Sequence, residues 1–232
     1  MHSNVSDHAK LWELNPDWDL LTTGEKMYIE KESEMVSYRK NEIIYSEGDT
    51  SDYVMMLITG KVRIYKEGVG QKPQIIRMLK PCDIFGYRSV IADDTHSSNA
   101  NAFEPCLICK INRGAFMQVI QQNNRFCFRM MEEMARDLAK SQSQTINLTQ
   151  KHIRGRLAES LLMLKQQYGV EEDDSTIAMY MSREDLANLS SMTTANAIRT
   201  LSQFAQEELI SMDGRKIKLL DEKELMRISR MG

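Results

Sequence analysis

Cysteine, proline and glycine are all scarce in this chain, at 4, 4 and 11 of 232 residues. So few cysteines exclude a disulfide-stapled scaffold and suit a reducing compartment in which thiols stay thiols. So little proline and glycine excludes collagen-like and low-complexity classes. No apolar run approaches the ~18 residues that cross a bilayer, and the stretch from Met1 to Asp19 is polar and acidic, unlike a secretory leader. The expectation is a cytoplasmic protein with no membrane partner. Neither charge is in excess: 30 Lys+Arg against 33 Asp+Glu leave a net of −3. That excludes nucleic-acid binding through bulk charge and leaves such contact to a local patch. No internal repeat is present. What remains is a soluble composition long enough, at roughly 100 to 200 residues per domain, for two cores.

The chain reads in three parts: residues 1–123, 124–150 and 151–232. Between 35 and 113, short β-branched and aromatic runs at 42–45, 54–58, 61–66, 74–79 and 106–111 alternate with turn signals. Regular short strands of this kind predict an antiparallel barrel or sandwich. From Asn124 to Gln150 there is no Gly or Pro, and Cys127, Met131, Met134, Leu138, Ser141, Thr145 and Leu148 recur at spacings of four and three. This is a heptad seam on a helix of roughly 25 residues, about 37 Å long, which exceeds what a barrel of this size can cover and predicts a dimerisation helix. Three shorter helices follow at 152–167, 183–189 and 193–207. The acidic stretch 171–174 between the first two is read as a solvated loop away from any functional face. Residues 209–220 form two strands around Asp213-Gly214, a strong hairpin signal. Helix-turn-helix plus hairpin makes a winged helix, so the fold class is α+β.

The second helix of that motif carries small or polar residues at its N-terminal end, with Ile198, Leu201 and Phe204 at core-facing spacing. A slim N-terminus can enter a major groove, hydroxyls and amides reach phosphates and bases, and an arginine can grip a guanine edge through two bonds. Thr193, Thr194, Asn196 and Arg199 supply these groups, with Ser182 and Arg183 at the start of the preceding helix and Lys216 on the wing. No nucleophile, base and orienting group come together, and Gly68-Val-Gly70 is too short for a phosphate loop, so no enzyme is expected. The 17 methionines fall mostly on apolar faces and read as adaptable core filler.

Barrel, seam helix, helix-turn-helix and wing, in that order, resemble the cAMP receptor protein / fumarate-nitrate regulator (Crp-Fnr) family of bacterial transcription factors over nearly the whole chain. The resemblance is carried by Glu47-Gly-Asp49 with Asp52, Gly60-Lys-Val-Arg-Ile-Tyr65, Asp83-Ile-Phe-Gly86, Met134-Ala-Arg136 with Leu138, Arg154-Gly-Arg156-Leu-Ala158, and Asp185-Leu-Ala187 with Arg199. It implies a cyclic-nucleotide-binding-like barrel (a double-stranded β-helix), a homodimer, a palindromic double-stranded DNA site, RNA polymerase as a further partner, and an unknown small-molecule effector. The effector pocket it implies comprises Gly86, Tyr87, Arg88, Ser97, Ser98, Ser141 and Gln142. Effector binding would rotate the winged helices through a hinge near residues 148–153.

The departures are equally specific. Members that bind cAMP place a Glu and an Arg-Ser pair where this chain has Tyr87 and Ser97-Ser98. A phosphate buried without a guanidinium partner pays a desolvation penalty that one hydroxyl does not offset, so cAMP is not expected, and Arg88 should point to the other side of the chain. Oxygen-sensing relatives use thiolates placed before the barrel to hold an iron–sulfur cluster, and here no cysteine precedes Cys82. Cys106 and Cys109 are three apart on a strand and should face opposite sides, so no metal site is expected. Haem stays open: of His2, His8, His96 and His152, only His96 lies in the cassette. In the reading helix the slot often held by Glu is Ala195, which touches a thymine methyl and accepts no hydrogen bond. The turn position often held by Gly is Ser191. Residues 151–232 hold 12 Lys+Arg against 13 Asp+Glu, so Arg183, Arg199, Arg215, Lys216 and Lys218 must be gathered on one face. The competing reading is a ligand-binding regulatory module that uses its winged helix for protein contacts.

Overall fold

The computed structural model describes residues 16–231. Contacts divide the chain into two compact units, Met1–Lys66 with Ile76–Ala139, and Glu67–Ile75 with Lys140–Gly232. The first holds helix α1 (Thr23–Lys31), strands β1 (Ser33–Tyr38), β2 (Ile43–Tyr45), β3 (Tyr53–Thr59), β4 (Val62–Glu67), β5 (Pro73–Leu79) and β6 (Ile84–Phe85), helix α2 (Tyr87–Ala92), strands β7 (Asn99–Ala102) and β8 (Cys106–Asn112), and helix α3 (Arg113–Gln122). The strands form two four-stranded sheets in the orders β1-β8-β3-β6 and β2-β7-β4-β5. The expected antiparallel barrel is present. Strands β1, β6 and β7 and helices α1 to α3 were not legible, because short elements that are half polar leave little periodicity.

Strand β3 explains the architecture. Its run Val54-Met-Met-Leu-Ile58 is buried on both faces. Alternation sends Val54, Met56 and Ile58 into a core shared with Trp18, Ile29, Phe116, Phe126 and Met130, and sends Met55 and Leu57 into the core between the sheets with Val62, Ile64, Leu79 and Phe85. Strand β8 alternates likewise: Cys106 and Ile108 join the inter-sheet core, Cys109 and Ile111 the outer one. The two cysteines therefore lie in different cores, and burial pushes both thiols up to about 11. Trp18 stacks on Phe126 at 5.5 Å, and Arg129 donates to Asp17 at 2.6 Å, fastening the 3-10 turn Pro16–Leu20 to the helix that follows α3.

That helix, α4 (Asn124–Gln150, 27 residues), spans both units. Phe126 and Met130 face the barrel core, whereas Met131, Leu138 and Leu148 are 53%, 61% and 45% exposed. The predicted seam is thus an uncovered apolar stripe on the single chain. The helix breaks at Lys151-His152, inside the expected hinge, where Asn147 and Lys151 both donate to Glu159, at 2.8 and 3.1 Å.

The second unit continues with α5 (Ile153–Tyr168), α6 (Arg183–Leu189), α7 (Thr194–Gln206), strands β9 (Ile210–Asp213) and β10 (Lys216–Leu219), and α8 (Glu222–Met231). Leu157, Leu161 and Leu164 of α5 are buried, as are Leu186, Leu201, Phe204, Ile217 and Leu225 of the elements that follow. Helix α8 was not anticipated. Charged residues fill most of its surface, and only Leu225, Ile228 and Ser229 are buried.

Candidate functional site

Helix α7, the second helix of the expected helix-turn-helix, begins at a built cap. Thr193 is the N-cap of α7, and its hydroxyl accepts from the Asn196 backbone N–H at 3.2 Å. The turn before it is held by the buried Ser190–Ser160 hydroxyl pair at 2.8 Å and by Met192 N–H donating to Ala187 at 3.0 Å. Ser191 adopts φ +54°, the left-handed conformation that glycine takes at least cost, so the turn keeps its shape without one. Along α7, Ala197, Thr200, Leu201 and Phe204 are buried, while Thr194, Ala195, Ile198, Arg199, Ser202 and Gln203 face outward. Ile198 does not join the core as its spacing suggested. Residues 197, 200, 201 and 204 centre the inward face, and at ~100° per residue position 198 lies about 110° from that centre. Among the described residues, the Arg199 guanidinium and the Asn196 amide have no side-chain partner.

The other expected contacts divide. The Ser182 hydroxyl caps α6, accepting from Asp185 N–H at 3.0 Å and donating to the Asp185 carboxylate at 2.6 Å. Arg183 turns to the wing, donating through Nη2 to the Gly214 carbonyl at 3.0 Å, with Met212 Sδ at 3.3 Å, while its Nη1 is buried without a partner. It braces the wing against α6. Lys216 Nζ is paired with both oxygens of Glu171, at 3.2 and 3.1 Å, and lies 5.3 Å from the Tyr180 ring centre. Lys218 pairs with Asp173 at 3.3 Å. The acidic stretch expected away from the interface therefore sits on the wing. The cause is backbone pairing: Thr176 bridges to Lys218, and Ile177 N–H donates to Ile217. Asp173 accepts from the Ser175 and Thr176 backbone N–H groups, and these bonds and the Thr176 hydroxyl hold its carboxyl far below the usual range. Arg215, beside Gly214 at the turn, is exposed and has no ion-pair partner among the described residues.

In the barrel, Gly86 opens α2 at φ +79°, and an added Cβ would lie 2.6 Å from Met55 Cε and 3.2 Å from the Tyr53 carbonyl. Tyr87 is 3% exposed, and its hydroxyl donates to Asp137 Oδ2 of α4 at 2.8 Å. Arg77 Nη1 binds the same oxygen at 2.9 Å, leaving the Asp137 side chain 12% exposed. Burial, then the Asp137 charge, pushes the Tyr87 phenol well above its ordinary value, so it remains a donor. Ser98 is buried and shares a hydrogen bond with Tyr45, whose phenol burial pushes up to about 12; Ser97 faces solvent. Arg88 is exposed beside the buried Tyr87, and its charge acts on both Tyr45 and Tyr87. Ser141 and Gln142 are exposed on the part of α4 that belongs to the second unit. Tyr45 stacks on His96 at 3.8 Å and 11°. His96, 5% exposed, borders a cleft of about 530 Å³ with Asp49, Asp52, Tyr53 and Lys110. His2 and His8 lie outside the described residues, and His152 precedes α5 as its N-cap residue.

Sequence reading passed over Arg77, Tyr45 and Asp137. A signal existed for Asp137: it lies seven residues after Met130 and eleven after Phe126, on the stripe that those two residues bury, so a carboxylate there had to find a partner in the barrel.

Residues 35–123 match the model of the cyclic nucleotide-binding domain, and residues 155–228 that of the Crp-like helix-turn-helix domain. The chain is 27% identical over 195 residues to the transcriptional activatory protein AadR of Rhodopseudomonas palustris, an alignment covering 84% of this chain and 80% of that protein. It is 22% identical over 201 residues to the CRP-like cAMP-activated global transcriptional regulator of Mycobacterium tuberculosis, covering 86% and 90%. Among solved structures, FixK2 from Bradyrhizobium japonicum superposes with a TM-score of 0.77 at 26% identity, over 84% of this chain and 96% of that one.

Proposed function

The chain belongs to the Crp-Fnr family of transcription regulators, and from that membership we propose that it acts as an effector-responsive homodimer reading a palindromic double-stranded DNA site. In this reading residues 1–123 sense, the helix 124–150 pairs two copies, and residues 151–232 bind DNA and meet RNA polymerase. The observation that carries the DNA role is the outward face of α7, where Arg199 stands unpaired above a capped, slender N-terminus. A guanidinium there suits the O6/N7 edge of guanine. Arg215 takes the wing's phosphate contact, since Lys216 and Lys218 are already paired with carboxylates.

Response to an effector runs through the junction where Asp137 meets Arg77 and Tyr87. A cyclic phosphate does not suit these residues. It would face a carboxylate already held by Arg77, with no guanidinium at Ser97, and like charges disfavour one another strongly where water is scarce. The proposed effector is therefore not cAMP, and calorimetry with cAMP should register no binding at micromolar concentrations.

The DNA role is tested by selecting duplexes from a random pool with the full-length protein and measuring affinity by fluorescence anisotropy. Arg199→Ala should lose roughly tenfold to a hundredfold for the selected duplex and little for unrelated DNA, as a lost bidentate base contact does. Arg215→Ala should weaken all duplexes alike and lower the salt slope by about one unit. Equal losses for both duplex classes in Arg199→Ala would make Arg199 a backbone contact. Absence of any enriched duplex would favour protein contacts for the winged helix.

A further inference from the structure

We propose that Ile198, together with Ala195, reads the 5-methyl group of thymine beside the guanine contacted by Arg199. The inference rests on the DNA-binding reading above and names a further determinant of its specificity. Ile198 is 48% exposed although its helix buries Leu201 and Phe204 completely. A single exposed apolar side chain is ordinary on a protein surface. The company of this one is not: Ala195, one turn earlier, and Ser202, one turn later, share its outward face, as residues three and four apart on a helix do. Between Thr194 and Gln203 the only charged residue is Arg199. The reading face is therefore an apolar step flanked by small hydroxyls, with one guanidinium next to it.

In the major groove the only apolar group that a base pair presents is the thymine methyl; the other edges offer donors or acceptors. Ile198 has no hydrogen-bonding capacity and would desolvate such an edge at a loss, so only a methyl rewards its burial. Ala195 contributes a second methyl and, being short, lets the helix approach the base pair closely. Because Arg199 adjoins Ile198 in the chain, the thymine should lie within one or two base pairs of the guanine.

The test uses the full-length protein and the duplex it selects, with each thymine of the half-sites replaced in turn by deoxyuridine, which removes only the methyl. At one position, wild type should lose about fourfold per half-site, the fold-change to which ~0.8 kcal/mol for a buried methyl corresponds. Ile198→Ala should lose a similar factor on the thymine duplex and become indifferent to deoxyuridine at that same position, the non-additivity expected of groups in contact. Its salt slope and melting temperature should match wild type, because an exposed apolar side chain neither binds phosphate nor packs the core. Ile198→Val should keep most of the methyl sensitivity. Indifference of wild type to every deoxyuridine would overturn the proposal, and so would an Ile198→Ala variant that still pays the full methyl penalty. Failure to enrich any duplex would overturn the DNA-binding reading and this proposal with it.

Discussion

Asp137 shows how one residue can tie a long helix to the sheet beside it. Its carboxylate, little exposed, joins α4 to Arg77 on β5 and to the Tyr87 hydroxyl. Asp137→Asn should lower barrel stability by about 1 to 3 kcal/mol, since it weakens two bonds and leaves Arg77 without its counter-charge, and Tyr87→Phe by about 1 kcal/mol. Urea midpoints of the two variants check both, and equal midpoints with wild type would contradict the tether. His96 supplies a pH dependence. Burial lowers its pKa from 6.5, against the opposing pull of Asp49 and Asp52. The folded state thus binds the proton less readily than the unfolded chain, and stability present above about pH 6.5 is lost as pH falls through the lowered folded value. The urea midpoint should fall between pH 7 and 5, and His96→Phe, which keeps a ring against Tyr45, should flatten that part of the profile.

At the scale of elements, α4 has two unlike faces. The stripe through Phe126 and Met130 is buried, whereas Met131, Met134 and Leu138 are exposed, and an apolar seam of this spacing is satisfied by a second helix. Leu138→Glu should place like charges across that seam and give a monomer by light scattering, with the barrel core intact. The wing is the other element with a divided role. Arg183 braces it, and the loop 171–174 folds onto it so that Glu171 and Asp173 occupy Lys216 and Lys218. Carboxylates so placed repel an incoming phosphate. Glu171→Gln with Asp173→Asn should therefore raise affinity for any duplex about threefold to tenfold at low salt, and the gain should fade as salt screens it. A loss of affinity instead would mean that the loop positions the wing lysines for DNA.

For the whole molecule, a net charge of −3 is compatible with a DNA partner through placement, because among the described residues Arg199 on α7 and Arg215 at the wing turn are exposed without an ion-pair partner, whereas Lys216 and Lys218 are paired with carboxylates. The order of the parts was legible in the residues alone. Short β-branched and aromatic runs between turn signals made β2 to β5 and β8 readable, an uninterrupted seam of fours and threes gave away α4, and Asp213-Gly214 marked the wing turn. Those signals are local, spanning no more than a few turns or strands, and the backbone obeys them wherever the segment lies. Even the opposed facing of Cys106 and Cys109 followed from the two-residue period of a strand. Partners distant in sequence were not readable. That Asp137 would meet Arg77 sixty residues earlier, that Lys216 would be claimed by Glu171, and that Arg183 would reach Gly214 depended on which elements pack together. Ile198 lay between the two cases, since its spacing fitted the core and only the packing of Ala197, Leu201 and Phe204 turned it outward. Sequence period fixes the direction of each side chain relative to its own element, whereas charge pairing and burial are properties of two elements at once, and only the tertiary structure brings the second one into place.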